Sequence, residues 1–129
     1  MPYPADYKYT KEHEWIKSDG TSATIGITSY AQDSLGDIVF VELPRVGSEI
    51  TAGKTFGTVE SVKAVSDLFA PATGTVTEVN GDLATAPEKI NKDAHSAWMI
   101  KVTLKNPGEL NGLLSAADYE KFVAAEGGH

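Results

Sequence analysis

The chain has 129 residues, of which 41% are hydrophobic and 22% charged, so it is long enough for one domain core and too apolar for wholesale disorder. Eleven Lys+Arg stand against 18 Asp+Glu, a formal net charge of −7; no basic footprint is available to displace counterions, which excludes a nucleic-acid binder. Cysteine is absent, which removes disulfides, thiolate metal sites and thiol nucleophiles together.

The chain opens with MPYPADYKYT. This run has neither an apolar signal-peptide core nor an Arg-rich amphipathic pattern, and no later stretch approaches the roughly 20 apolar residues of a membrane span. The expectation is a cytoplasmic protein that does not enter a membrane, although a trimmed mitochondrial protein would read the same. Glu14–Lys17 and Thr21–Ile27 are β-prone runs around the turn residues Ser18-Asp19-Gly20. Ser29–Leu35 is a short helical candidate stopped by Gly36. Asp37–Leu43 (DIVFVEL) is the strongest strand signal. Alternation puts Ile38, Phe40 and Glu42 on one face and Val39, Val41 and Leu43 on the other, so both faces are expected to be at least partly buried.

Thr55–Val62 and Val65–Ala70 are further β-prone runs, Pro71-Ala72-Thr73-Gly74 interrupts, and Thr75–Val79 resumes. Pro87–Asn91 reads as a helical turn and Trp98–Leu104 as a last strand. Ser115-Ala116-Ala117-Asp118 fits a capping box, and Leu114, Tyr119, Phe122 and Val123 fit one face of a helix over about 115–126, ended by Gly127-Gly128. Short strands with Gly/Pro punctuation and one terminal helix indicate a mainly β fold, a single domain spanning 1–129.

Chemistry-bearing motifs are few. Ala52-Gly53-Lys54-Thr55 imitates the end of a phosphate-binding loop, but position 48 is Ser and the following FGTVESV is β-prone rather than helical, so the backbone N–H groups of a helix start are not available to phosphate. His13, His95 and His129 are scattered without metal-ligand spacing. Neither a metal site nor a catalytic constellation is expected.

The informative stretch is Glu60-Ser61-Val62-Lys63-Ala64-Val65-Ser66-Asp67. Two β-prone runs meet nearly symmetrically about Lys63, which predicts a hairpin with Lys63 at its tip, though without the Asn-Gly that favours tight turns. A solvated surface lysine is the ordinary reading of such a residue. A Schiff-base lysine would need desolvation or a nearby cation, whereas Glu60 and Asp67 favour the protonated amine. The third reading is a lysine displayed for covalent modification.

These residues, together with His13-Glu14-Trp15, Ala23–Thr28, Tyr30-Ala31-Gln32, Leu35–Pro44, Ala70-Pro71, Glu78-Val79-Asn80 and Trp98–Lys101, resemble the glycine cleavage H-protein family, whose members are lipoyl carriers. The likeness runs from about Tyr7 to Val102, and its specific part is ESVKAVSD. Two departures are visible: Asn91–Trp98 lacks the family's usual Pro-Tyr pair, and Glu12 stands where relatives often have a small residue.

The resemblance implies a small β-sandwich, or barrel-sandwich, lipoyl-carrier fold with short helices and a C-terminal helix. It implies that Lys63 carries lipoate in amide linkage, and that Glu14 and Asp67, with Glu12 at the rim, form a cleft for the amine on the loaded arm. The carrier would pass an aminomethyl group and reducing equivalents from glycine decarboxylase (P protein) to aminomethyltransferase (T protein) and dihydrolipoamide dehydrogenase (L protein). A lipoate ligase or lipoyl transferase would load it, and it would catalyse no complete cycle itself. The alternative is a relay protein that donates lipoyl groups to other enzymes. A lipoyl domain of a 2-oxoacid dehydrogenase would bring a flexible Ala/Pro linker, and a biotin carrier would flank its lysine with Met, where this chain has Val62 and Ala64.

Overall fold

The computed structural model describes residues 3–127. Among these residues nine strands form two antiparallel sheets. The strands are β1 (Lys8–Tyr9), β2 (Glu14–Asp19), β3 (Ser22–Ile27), β4 (Ile38–Glu42), β5 (Glu49–Ile50), β6 (Thr55–Ser61), β7 (Val65–Phe69), β8 (Gly74–Val79) and β9 (Ile100–Leu104). One sheet has the order β1-β2-β3-β9-β8-β5, the other β4-β6-β7. Helices α1 (Ser29–Leu35), α2 (Asp82–Thr85), α3 (Lys89–Lys92) and α4 (Ala116–Gly127) and a 3-10 helix over Pro107–Gly112 complete the fold. The mainly β expectation with short helices and a C-terminal helix is met.

The apolar residues that alternate along the strands meet between the sheets. Ile16, Ile25, Ile100 and Val102 from the larger sheet pack with Val41, Val59 and Leu68 from the smaller one, all buried. A second, aromatic cluster of Tyr9, Trp15 and Tyr119 lies beside it, with Tyr7, Trp98, Phe122 and Val123 packed around. Trp15 fits because it pairs with Gly26 across β2 and β3. A Cβ at position 26 would lie 2.6 Å from the indole ring, so only glycine admits the tryptophan there.

The expected alternation along β4 fails. Ile38 pairs with Ser61 and Phe40 with Glu60, leaving Val39 as the extra residue of a bulge. The bulge resets the faces, so Ile38 and Val41 enter the core while Val39 and Phe40 are each 51% exposed. Burial on both faces of this strand is therefore replaced by an exposed apolar pair beside the Lys63 hairpin.

Helix α1 has the predicted limits: the Thr28 hydroxyl accepts the Ala31 N–H, and Gly36 ends it at φ 80°. On α4 the Ser half of the capping box is made, Ser115 Oγ accepting the Asp118 N–H at 3.2 Å. This helix runs through Gly127, and Gly128 and His129 lie outside the described residues. The last strand begins at Ile100 rather than Trp98, and Trp98 turns aside into the aromatic cluster. Among the described residues no helix is long and apolar enough to cross a membrane.

Candidate functional site

Strands β6 and β7 pair as Val59↔Ser66 and Glu60↔Val65, and the Ser61 N–H donates to the Ala64 carbonyl at 2.8 Å. The hairpin is thus centred on the Val62–Lys63 peptide, half a residue from the symmetry centre read in the sequence. Neither loop residue has a positive φ, so the usual Asn-Gly turn is not used. Ser61 supplies the replacement. Its Oγ accepts the N–H groups of Lys63 at 3.3 Å and Ala64 at 3.1 Å, a side-chain turn that needs no glycine. The Val62 N–H donates to the Asp37 carbonyl at 3.0 Å, tying the tip to the corner before β4.

That corner has its own brace. The Asn91 side chain donates to Gln32 Oε1 and to the Gly36 carbonyl, both at 2.8 Å, and accepts the Ile38 N–H at 2.8 Å. Lys63 passes this corner closely, since its Cε would stand 3.7 Å from a Cβ at Gly36. Its side chain is exposed and makes no ion pair among the described residues. An exposed primary amine on a braced loop is a donor suited to amide formation. Val62 and Val65 beside it are also exposed.

Glu14 opens β2 and is 1% exposed. Its Oε1 accepts the Thr10 hydroxyl at 2.7 Å and its Oε2 accepts the Phe69 N–H at 3.2 Å. Its own N–H donates to Thr10 Oγ1 at 3.0 Å. Burial pushes its carboxyl from an ordinary 4.5 up to about 8, against the lowering by these hydrogen bonds and with a small contribution from the Glu12 charge. Asp67 is exposed on β7, two residues before Phe69 and about 7 Å away along the strand. Lys63 lies in the turn, two residues before β7 begins and four before Asp67. Strand β7 is the edge of its sheet, and Glu14 meets it on that free edge.

Glu12 is exposed in the β1–β2 turn and lines a hollow of about 430 Å3 with Tyr9, Thr10, Lys11, Pro71 and Glu109. Glu14 is thus bonded to strand β7, on which Asp67 is exposed, while Glu12 is near enough for its charge to act on the Glu14 carboxyl. Among the described residues no group of His, Asp and Glu is arranged to hold a metal ion.

Sequence reasoning missed Ser61 and Asn91. A serine immediately before a glycine-free two-residue loop is a usable signal for the first. Asn91 had none, because its partners lie 53 to 59 residues away.

Comparison with known proteins identifies the family. The family model described as "Glycine cleavage H-protein" matches residues 7–126. The chain is 72% identical over 129 residues to the glycine cleavage system H protein of Koribacter versatilis, with all of both chains covered. It is 64% identical to that of Acidobacterium capsulatum, again over both full chains. The crystal structure of a glycine cleavage system H protein from Mycobacterium marinum superposes with a TM-score of 0.85 at 39% identity, covering 97% of this chain and 99% of that one. The chain belongs to the glycine cleavage H-protein family, the lipoyl carriers of the glycine cleavage system, which bear lipoate on a lysine.

Proposed function

We propose that Lys63 is the lysine that bears lipoate, and that the chain is a single carrier domain without a catalytic cycle of its own. The observation that carries the assignment is the hairpin tip: an exposed lysine, unpaired among the described residues, on a loop fixed by Ser61 and by the Val62–Asp37 hydrogen bond. A modifying enzyme reaches such an amine without unfolding the chain, and a fixed loop presents it in one orientation. The partners of this reading are the P, T and L proteins of glycine cleavage, with a lipoate ligase or lipoyl transferase to load the lysine. The setting inferred is the bacterial cytoplasm, in line with the bacterial relatives.

Lipoate in amide linkage supplies a dithiolane, a disulfide that accepts electrons and a thiol-borne group. The protein's contribution is position and protection. We assign Glu14, bonded to strand β7, and Asp67, exposed on it, to the amine of the cargo, with Glu12 adding negative charge nearby. Glu14 holds a proton at Oε1 or Oε2 near neutral pH while it faces no cation. A cationic amine alongside favours its charged form, and the resulting charge-assisted hydrogen bonds are strong where water is excluded.

The test is intact-mass measurement and peptide mapping after incubation with a lipoyl ligase. One added lipoyl group, on Lys63 alone, is expected. Modification at Lys54 or another lysine, or no modification of the folded chain, refutes the assignment.

A further inference from the structure

His13 has a φ of 75°, the one positive φ on a non-glycine residue among those described. A histidine holds this left-handed conformation at a cost that its surroundings must meet. The restraints are visible. The His13 N–H donates to the Thr10 carbonyl at 3.1 Å, and its carbonyl accepts the Thr28 N–H at 3.0 Å. Its Nδ1 lies 2.7 Å from the Tyr119 hydroxyl, which lies 2.8 Å from Thr28 Oγ1. Tyr119 is fully buried, 106 residues from His13 in sequence, and its ring stacks on Tyr9 with centroids 4.8 Å apart.

One hydroxyl from α4 therefore joins the β1–β2 turn to the cap of α1. The residue immediately after the strained position is Glu14, whose carboxyl must meet both Thr10 and the β7 edge. We propose that Tyr119 is a positioning residue: its hydroxyl holds His13 in the left-handed conformation and thereby aims the Glu14 carboxyl at the β7 edge. This gives α4 a part in the carrier site although it touches neither Lys63 nor Asp67 in any hydrogen bond or ion pair described. The proposal rests on Glu14 being the acid of the arm cleft.

The test uses the full-length unloaded chain, with the Glu14 carboxyl followed by carbon-detected NMR titration. Burial acts most on this carboxyl, followed by the Thr10 hydroxyl, the Phe69 N–H, the Glu12 charge and the Glu14 N–H; the burial of Tyr119 keeps its phenol neutral throughout. Tyr119→Phe removes one oxygen and keeps the ring. It should release the turn, admit water and lower the Glu14 midpoint by about one unit. Phe69 amide exchange should rise alongside. In a His13→Gly background, where glycine takes φ 75° unaided, the same Tyr119→Phe change should shift the midpoint far less. His13→Ala provides a second route: alanine has neither the ring nor the freedom, so it should lower the midpoint more than His13→Gly does.

An unchanged Glu14 midpoint in Tyr119→Phe overturns the proposal, as does an equal shift in both backgrounds or no difference between His13→Ala and His13→Gly. The decay of aminomethyl-loaded chain separates the two readings. A moved Glu14 midpoint with unchanged decay leaves Tyr119 as the positioning residue and removes Glu14 from the arm cleft.

Discussion

Glu14 and Phe69, 55 residues apart, are joined by one hydrogen bond from the Phe69 N–H to Glu14 Oε2 at 3.2 Å. The bond takes a backbone group that an edge strand otherwise leaves to solvent. It also places a buried carboxyl beside the strand that leads to Lys63. Burial without a paired cation gives this acid its raised pKa, and its stability effect has a definite sign.

The folded chain holds the Glu14 proton more tightly than the unfolded chain, so the contribution to stability is full below about pH 4.5 and falls as pH rises towards about 8. His95, whose pKa is lowered by burial, acts in the opposite sense: its folded form resists protonation, so its contribution is lost as pH falls below the ordinary histidine range. Glu14→Gln isolates the first effect. Between pH 5 and pH 8.5 the wild type should lose about 2–4 kcal/mol relative to this variant, measured by urea unfolding at each pH. Parallel pH profiles for the two proteins would show that Glu14 titrates as an ordinary surface acid.

Lys63→Arg should separate function from stability. The exposed side chain makes no ion pair among the described residues, so thermal unfolding should change by no more than about 0.5 kcal/mol. Lipoylation should vanish, because a guanidinium stays protonated and is a poor nucleophile. A large loss of stability would mark Lys63 as a structural residue and remove the simplest support for the carrier reading.

The long strands were legible because their apolar residues alternate over five or more positions, as in Ile100–Leu104, where Ile100, Val102 and Leu104 are buried. Strands β1 and β5 have two residues each and offer no period to read. The Val39 bulge was hidden for a related reason: DIVFVEL reads as one unbroken strand, and only pairing with β6 reveals the extra residue. The hairpin that carries Lys63 was legible from local symmetry. The burial of Glu14 was not, because a carboxylate is ordinarily exposed and this one is enclosed by contacts distant in sequence.

Ser61→Ala tests the turn. The Ser61 hydroxyl is nearly buried and accepts two loop N–H groups, so its loss should cost about 1–2 kcal/mol, as for a lost helix cap. Initial lipoylation rates at Lys63 should fall more than those of Lys63-containing unfolded peptide carrying the same change, because only the folded loop is pre-organised. Equal effects on folded chain and peptide would mean that the ligase reads sequence alone.

The last prediction concerns the loaded carrier. An aminomethyl group on an exposed arm would be open to water, and protection requires that its amine find a fixed anionic partner. Glu14 supplies a buried one bonded to strand β7, and Asp67 an exposed one on that strand. Their contributions should therefore differ. Glu14→Ala removes the contact from which water is excluded, where electrostatic attraction is strongest, and should speed release of ammonia and formaldehyde the more. Asp67→Ala should speed it less, and its effect should fade with added salt, since an exposed charge is screened over about 10 Å at 0.1 M ionic strength. The residual protection in Asp67→Ala, resting on Glu14, should respond to salt only weakly. The measurement is the decay rate of aminomethyl-loaded protein without its transferase, at two ionic strengths. Decay at the wild-type rate in both variants would remove these acids from the arm cleft while leaving the lipoyl assignment of Lys63 intact.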